Sequence, residues 1–120
     1  MRGLGELEAA VMDVLWHARE PLKVRQVLER LDTGKQLAYT TVLTVLDNLH
    51  RKGWVSRELE GKAYSYQPTI SRVEAATNAV RDVLVASGDP EAALLHFAQS
   101  ATAEESAVLR RAFRKKATGK

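Results

Sequence analysis

Apolar residues recur at helical spacing from the start of the chain. Leu7, Val11, Val14 and Leu15 fall at i, i+4, i+7 and i+8, one face of a helix over residues 5–17. Glu6 and Glu8 stand in its first turn, where the helix dipole favours acids, and Pro21 follows its end. Residues 22–24 form a short strand that opens the next element. A second helix over residues 24–31 carries Val27, Leu28 and Leu31 on one side, and Asp32-Thr33-Gly34-Lys35 breaks it as a turn. A third helix covers residues 39–52 and stops at Gly53.

After Gly53 the period changes. Trp54-Val55-Ser56-Arg57-Glu58-Leu59 reads as a strand of imperfect alternation, and Glu60-Gly61-Lys62 as a short turn. Ala63-Tyr64-Ser65-Tyr66-Gln67 alternates and ends at Pro68. Its two tyrosines are expected on the inner face of this hairpin, as packing residues. Trp16 and Trp54 are expected in the core or an interface.

From Ser71 the helical period returns, with Val73, Ala76, Val80, Val83 and Leu84 in one stripe. Ser87-Gly88-Asp89-Pro90 interrupts it; Asp89 caps a helix whose first residue is Pro90. That helix carries Leu94, Leu95, Phe97 and Ala98. Thr102 and Glu105 form a capping box that opens a last helix with Val108, Leu109, Ala112 and Phe113. The predicted fold is mainly α with a small β-hairpin. A winged helix-turn-helix DNA-binding domain over residues 1–69 precedes a helical dimerisation domain over residues 70–120. About 50 residues of stripes cannot enclose a core of their own, so a second copy is expected against them. The dimer contacts are assigned to Val73, Ala76, Val80, Val83, Leu84, Leu94, Leu95, Phe97, Leu109 and Phe113.

Three helices followed by a hairpin is the winged-helix order, in which the third helix enters the major groove. With Thr40 at zero, Thr40, Thr44, Asp47, Asn48 and Arg51 lie between about −20° and 80° on a helical wheel. Val42, Val45, Leu46 and Leu49 lie between about 140° and 240°, and Thr41 and Lys52 stand at the border. One face is thus a wedge for the core; the other carries hydroxyls, an amide and a guanidinium. Threonine can meet a thymine methyl, asparagine can bond an adenine edge, and basic side chains neutralise phosphates. The candidate DNA contacts are Tyr39, Thr40, Thr41, Thr44, Asn48, Arg51 and Lys52 on the helix, with Arg57 and Lys62 on the wing. Asp47 faces phosphates badly; it either pairs with Arg51 at i+4 or stands at the rim.

Composition sharpens the picture by exclusion. Hydrophobic residues are 45% of the chain and aromatics 6%, so a packed core must be built from Leu, Val and Ala. With no cysteine, disulfides and thiolate metal sites are excluded. His17, His50 and His96 are far apart, and no metal, cofactor or catalytic motif is expected. The net charge of +3 is mild support for a nucleic-acid partner. Arg110, Arg111, Arg114, Lys115, Lys116 and Lys120 concentrate charge in the tail, expected to be a solvated helix end. No signal peptide or apolar membrane span is expected, and the simplest location is cytoplasmic. The alternative function is a winged-helix protein-interaction module without specific DNA binding, which an acidic or apolar third helix would favour.

The chain resembles the penicillinase-repressor (BlaI/MecI) family of bacterial regulators. The likeness lies in Leu7-Glu8-Ala9-Ala10-Val11-Met12-Asp13-Val14-Leu15-Trp16, in the run from Leu37 to Leu49, and in Arg51-Lys52-Gly53-Trp54-Val55. Tyr64-Ser65-Tyr66-Gln67-Pro68 and Ala93-Leu94-Leu95-His96-Phe97 add to it. The resemblance implies a homodimer that represses β-lactamase or related cell-wall genes from palindromic double-stranded operator DNA. It also implies release when a membrane sensor-protease, or a protease it activates, has the repressor cleaved at His96-Phe97. Some relatives have Asn where this chain has His96. Copper-responsive relatives use a C-terminal cysteine cluster, which this chain lacks.

Overall fold

The computed structural model describes residues 4–33 and 36–117. Gly34 and Lys35 of the expected turn, and Lys120 of the tail, lie outside the described residues. Helix α1 (Glu6–His17) begins where the Glu8 carboxylate accepts the Gly5 backbone N–H at 2.9 Å. Strand β1 (Leu22–Lys23) leads directly into α2 (Val24–Arg30), where Gln26 accepts the Lys23 N–H in the same way at 2.8 Å. Helix α3 (Tyr39–Arg51) ends in a Schellman motif. Gly53 takes a φ of +86°, its N–H reaches the His50 carbonyl at 3.1 Å, and the Trp54 N–H reaches the Leu49 carbonyl at 2.9 Å. Leu49 and Trp54 are both buried, so the turn that stops the helix also feeds the core.

Strands β2 (Val55–Glu60) and β3 (Ala63–Pro68) pair antiparallel, and β1 pairs with the other edge of β3. Gly61, with φ +65°, makes the tight turn between the Glu60–Ala63 pair. The two tyrosines part company here. Tyr66 stands opposite Leu22 and is fully buried, whereas Tyr64 lies beyond the end of the two-residue β1 and is 39% exposed. The expectation that both pack inside therefore holds for Tyr66 alone; Tyr64, paired with Leu59 of β2, stays exposed.

Alternation and helical period converge on one core. Val11, Met12 and Leu15 of α1, Val27 of α2, and Val42, Val45, Leu46 and Leu49 of α3 meet Leu22, Val55 and Tyr66 of the sheet. Each such large side chain contributes roughly 1.5–3 kcal/mol by leaving water.

Three helices follow: α4 (Arg72–Ala86), α5 (Pro90–Ser100) and α6 (Ala103–Ala117). The chain divides into two compact units between Ala79 and Val80, so α4 gives its beginning to the first unit and the rest to the second. Ala75 and Ile70 pack on the first unit's core. In the second unit, Asp89 caps α5 by accepting the Ala92 N–H at 3.1 Å. Thr102 and Glu105 exchange backbone bonds of 3.1 and 2.9 Å, the capping box at the start of α6. These helices are well formed but enclose no core: neither α5 nor α6 has a buried residue. Val80, Val83, Leu94, Leu95, Phe97 and Phe113 are all more than half exposed, as is Val73 in the first unit. Leu84 and Leu109 are half-buried, and Ala76 is exposed.

Candidate nucleic-acid interface

The outer face of α3 follows from the wedge on its inner face. Val42, Val45, Leu46 and Leu49 are driven inward, which leaves Tyr39, Thr40, Thr41, Thr44 and Arg51 exposed and Asn48 half-buried. The structure thus brings the expected helix residues together on one surface. Several arrive with their hydrogen-bonding capacity already partly used. The Thr44 hydroxyl donates to the Thr40 carbonyl at 2.9 Å, so toward a base it offers lone pairs and its methyl, not a proton. The Asn48 side-chain oxygen accepts from the Arg51 guanidinium, leaving its amide N–H groups to donate.

Asp47 is not held by Arg51. Its carboxylate accepts from Arg57 of β2 at 3.1 Å, an ion pair that ties α3 to the wing. Arg57 also lies 4.2 Å above the Tyr64 ring, which gives the half-exposed tyrosine its role. The negative charge that argued against DNA contact is therefore answered by the wing. Lys62 is exposed in the turn beside Gly61.

Lys52 takes a different course. Its ammonium donates to both oxygens of Glu8 at 2.8 and 2.9 Å, and the two side chains are 26% and 13% exposed. The pair joins the end of α3 to the start of α1. It holds the Glu8 carboxyl below its ordinary range, with Lys52 the leading cause and the Gly5 N–H the next. Burial, by contrast, pushes the Tyr66 phenol up, and the neighbouring Arg57 guanidinium opposes that shift.

Sequence reasoning missed three members of this surface and its supports. Arg25 of α2 places its guanidinium 5.6 Å from the Tyr39 ring centroid, beside the first turn of α3. Glu8 was legible as a helix-start acid but not as the partner of Lys52. Arg72 pairs with Asp13, a contact across 59 positions that no local pattern signals. Among the described residues no cluster of His, Asp or Glu could hold a metal ion.

Comparisons with known proteins bear on this surface. A family model described as penicillinase repressor matches residues 4–115. The transcriptional regulator BlaI of Mycobacterium tuberculosis is 45% identical over 112 residues, spanning 91% of this chain and 81% of that protein. The solution structure of the DNA-binding domain of the repressor BlaI superposes with a TM-score of 0.51 at 26% identity. It covers 57% of this chain and 83% of the other. RosR of H. salinarum, at 22% identity and a TM-score of 0.52, covers 99% of this chain and 98% of its own, a likeness of fold alone.

Proposed function

The chain belongs to the penicillinase repressor family, a family of transcriptional regulators and not of enzymes, and from that premise we propose how it works. Two copies pair through their C-terminal helices, and each winged helix reads one half of a palindromic operator. The observation that carries this reading is the division of α3 into a buried apolar wedge and an outward face of threonines, Asn48 and Arg51.

Thr40, Thr41, Thr44 and Asn48 meet base edges, with Tyr39 at the head of the helix. Asn48 donates to base acceptors through its free amide N–H groups. Thr44 offers its methyl to thymine and its lone pairs to exocyclic amines. Arg51, Arg57 and Lys62 take phosphates. Lys52 supports the site by holding α3 to α1 through Glu8.

Pairing is supported by the second unit, whose helices are capped at their starts yet bury nothing within one chain. Val80, Val83, Leu94, Leu95, Phe97 and Phe113 supply the shared core, with Leu84, Leu109 and, from the start of α4, Val73 and Ala76. The targets are β-lactamase or related cell-wall genes, and the protein acts in the cytoplasm. No helix among the described residues is long and apolar enough to cross a membrane. A membrane sensor-protease, or a protease it activates, ends repression by cutting at His96-Phe97 in α5. The cut separates Phe97, Leu109 and Phe113 from the rest of the shared core. Cleavage needs local opening, because an intact helix is a poor protease substrate.

The test begins with duplexes enriched by the chain from a random-sequence pool, at stated salt and with nonspecific competitor. Asn48→Ala should weaken binding to the selected duplex by about 1–3 kcal/mol and relax preference at one or two base pairs. Arg51→Ala should weaken binding to every duplex and lower the salt slope by about one. A wild-type chain that enriches no sequence contradicts the reading. For release, host cells exposed to a β-lactam should lose the intact chain on immunoblots. Induction of the target genes with the chain whole would remove the cleavage step.

A further inference from the structure

The chain leaves the wing through Thr69, Ile70 and Ser71 before α4 begins, and every step of this passage is held. The Thr69 N–H and hydroxyl reach the Trp54 carbonyl at 3.0 and 3.1 Å, and the hydroxyl reaches the Gly53 carbonyl at 2.7 Å. The Trp16 indole N–H donates to the Ile70 carbonyl at 3.0 Å, and its ring meets Trp54 edge-on with centroids 6.4 Å apart. Ser71 and Glu74 cap α4 reciprocally, at 3.1 and 3.0 Å. Arg72 then reaches back to α1. Its guanidinium donates to the Asp13 carboxylate and lies 5.0 Å from the Trp16 ring centroid. His17 Nδ1 stands 2.8 Å from the Asp13 carbonyl and 3.8 Å from its carboxylate, so it belongs to the same cluster.

An exposed ion pair alone holds weakly, because solvent and side-chain entropy oppose it. Here the Arg72 guanidinium, set against Asp13 and the Trp16 ring, and the part-buried indole bond to Ile70 act beside the bonds that hold Thr69 and Ser71, so all four positions from 69 to 72 are fixed. Arg72 suits the post for a reason lysine cannot match: one planar group faces a carboxylate and an aromatic ring together.

We propose that Arg72 is a positioning residue that pins the start of α4 to α1 and thereby sets the half-site spacing the paired repressor accepts. The inference rests on the dimer reading above. α4 is one unbroken helix from Arg72 in the first unit to Ala86 in the second. In a dimer joined by the C-terminal helices, the junction at its start governs where each recognition helix is presented. A rigid junction restricts both half-sites to one separation and rotation on the duplex; a loose one accepts several.

The experiment uses the full chain and a duplex selected from a random pool. The duplex is resynthesised as a single half-site and as a series with the spacer changed by one to five base pairs. Wild type should bind the selected spacing best, losing about a hundredfold or more when half a turn is added. Arg72→Ala should bind the single half-site as wild type does, and its penalty for altered spacing should fall by about tenfold as the geometric selection is lost. Arg72→Lys, which keeps the charge without the planar stack, should fall between them. Trp16→Phe, which keeps a ring but removes the indole donor to Ile70, should flatten the profile independently. Thermal melts confirm that each variant is folded before it is scored. A spacing profile unchanged in Arg72→Ala overturns the proposal, as does an equal loss on the single half-site. A wild type indifferent to spacing removes the dimer reading, and this inference with it.

Discussion

Helices α3 and α5 are of similar length, 13 and 11 residues, and meet opposite fates within one chain. Four residues of α3 are buried, and its polar side is free for chemistry. α5 buries none, and its Leu94, Leu95 and Phe97 stand in solvent. The first unit has enclosed its apolar surface and can present a face; the second is capped and regular but lacks a core. Secondary structure alone therefore does not complete a fold. Capping supplies about 1 kcal/mol per helix end, whereas each large side chain left in water forgoes roughly 1.5–3 kcal/mol.

The contrast breaks most visibly if the two units are separated. A fragment of residues 4–79 retains the whole first core and should fold as a monomer by sedimentation and circular dichroism. Its operator affinity should fall by about 10²–10⁴, because the second half-site no longer profits from tethering. A fragment that binds as tightly as the full chain would show that the second unit adds nothing to recognition.

Matched leucine truncations sharpen the same contrast. Leu46→Ala, at a fully buried site, should lower the unfolding free energy of the first unit by about 2–5 kcal/mol in urea titrations. Leu95→Ala, at a side chain 55% exposed in one chain, should leave the first unit's unfolding unchanged. It should instead weaken self-association by roughly 1.5–3 kcal/mol, about 10- to 100-fold in the dissociation constant. Equal effects of both changes on the first unit would erase the distinction.

The smallest expected effect concerns Glu8. Its folded carboxyl is more acidic than in the unfolded chain, chiefly because Lys52 bonds it. That stabilisation is therefore fully present above the unfolded carboxyl range and is lost as pH falls through the depressed folded value. Glu8→Gln should cost roughly 1 kcal/mol at neutral pH. The gap to wild type should close as pH drops below about 4.3, the ordinary glutamate value. A gap that stays constant down to acid unfolding would mean that the pair carries no such energy.

What the sequence made legible was local. The wheel of α3 separated buried from exposed positions correctly because periodicity is set by helix geometry, and Gly53, Asp89 and the Thr102–Glu105 box marked ends for backbone reasons. The contacts of the candidate site were less legible because their partners lie far along the chain. Lys52 and Glu8 are 44 positions apart, and Arg72 and Asp13 are 59. Asp47 had a plausible partner at i+4 and found a different one on the wing, ten positions on. Tyr64 shares its face with Tyr66, but alternation does not say which of them joins the core, and only Tyr66 does.

The central claim is that one region reads DNA through α3 and the other pairs two copies to do so. Hydroxyl-radical footprinting of the full chain on its selected duplex tests both halves at once. The account predicts two equal protected patches on one face of the duplex, related by two-fold symmetry and separated by a whole number of helical turns, with both weakened by Arg51→Ala. A single unpaired patch, or protection unaltered by Arg51→Ala, would contradict it.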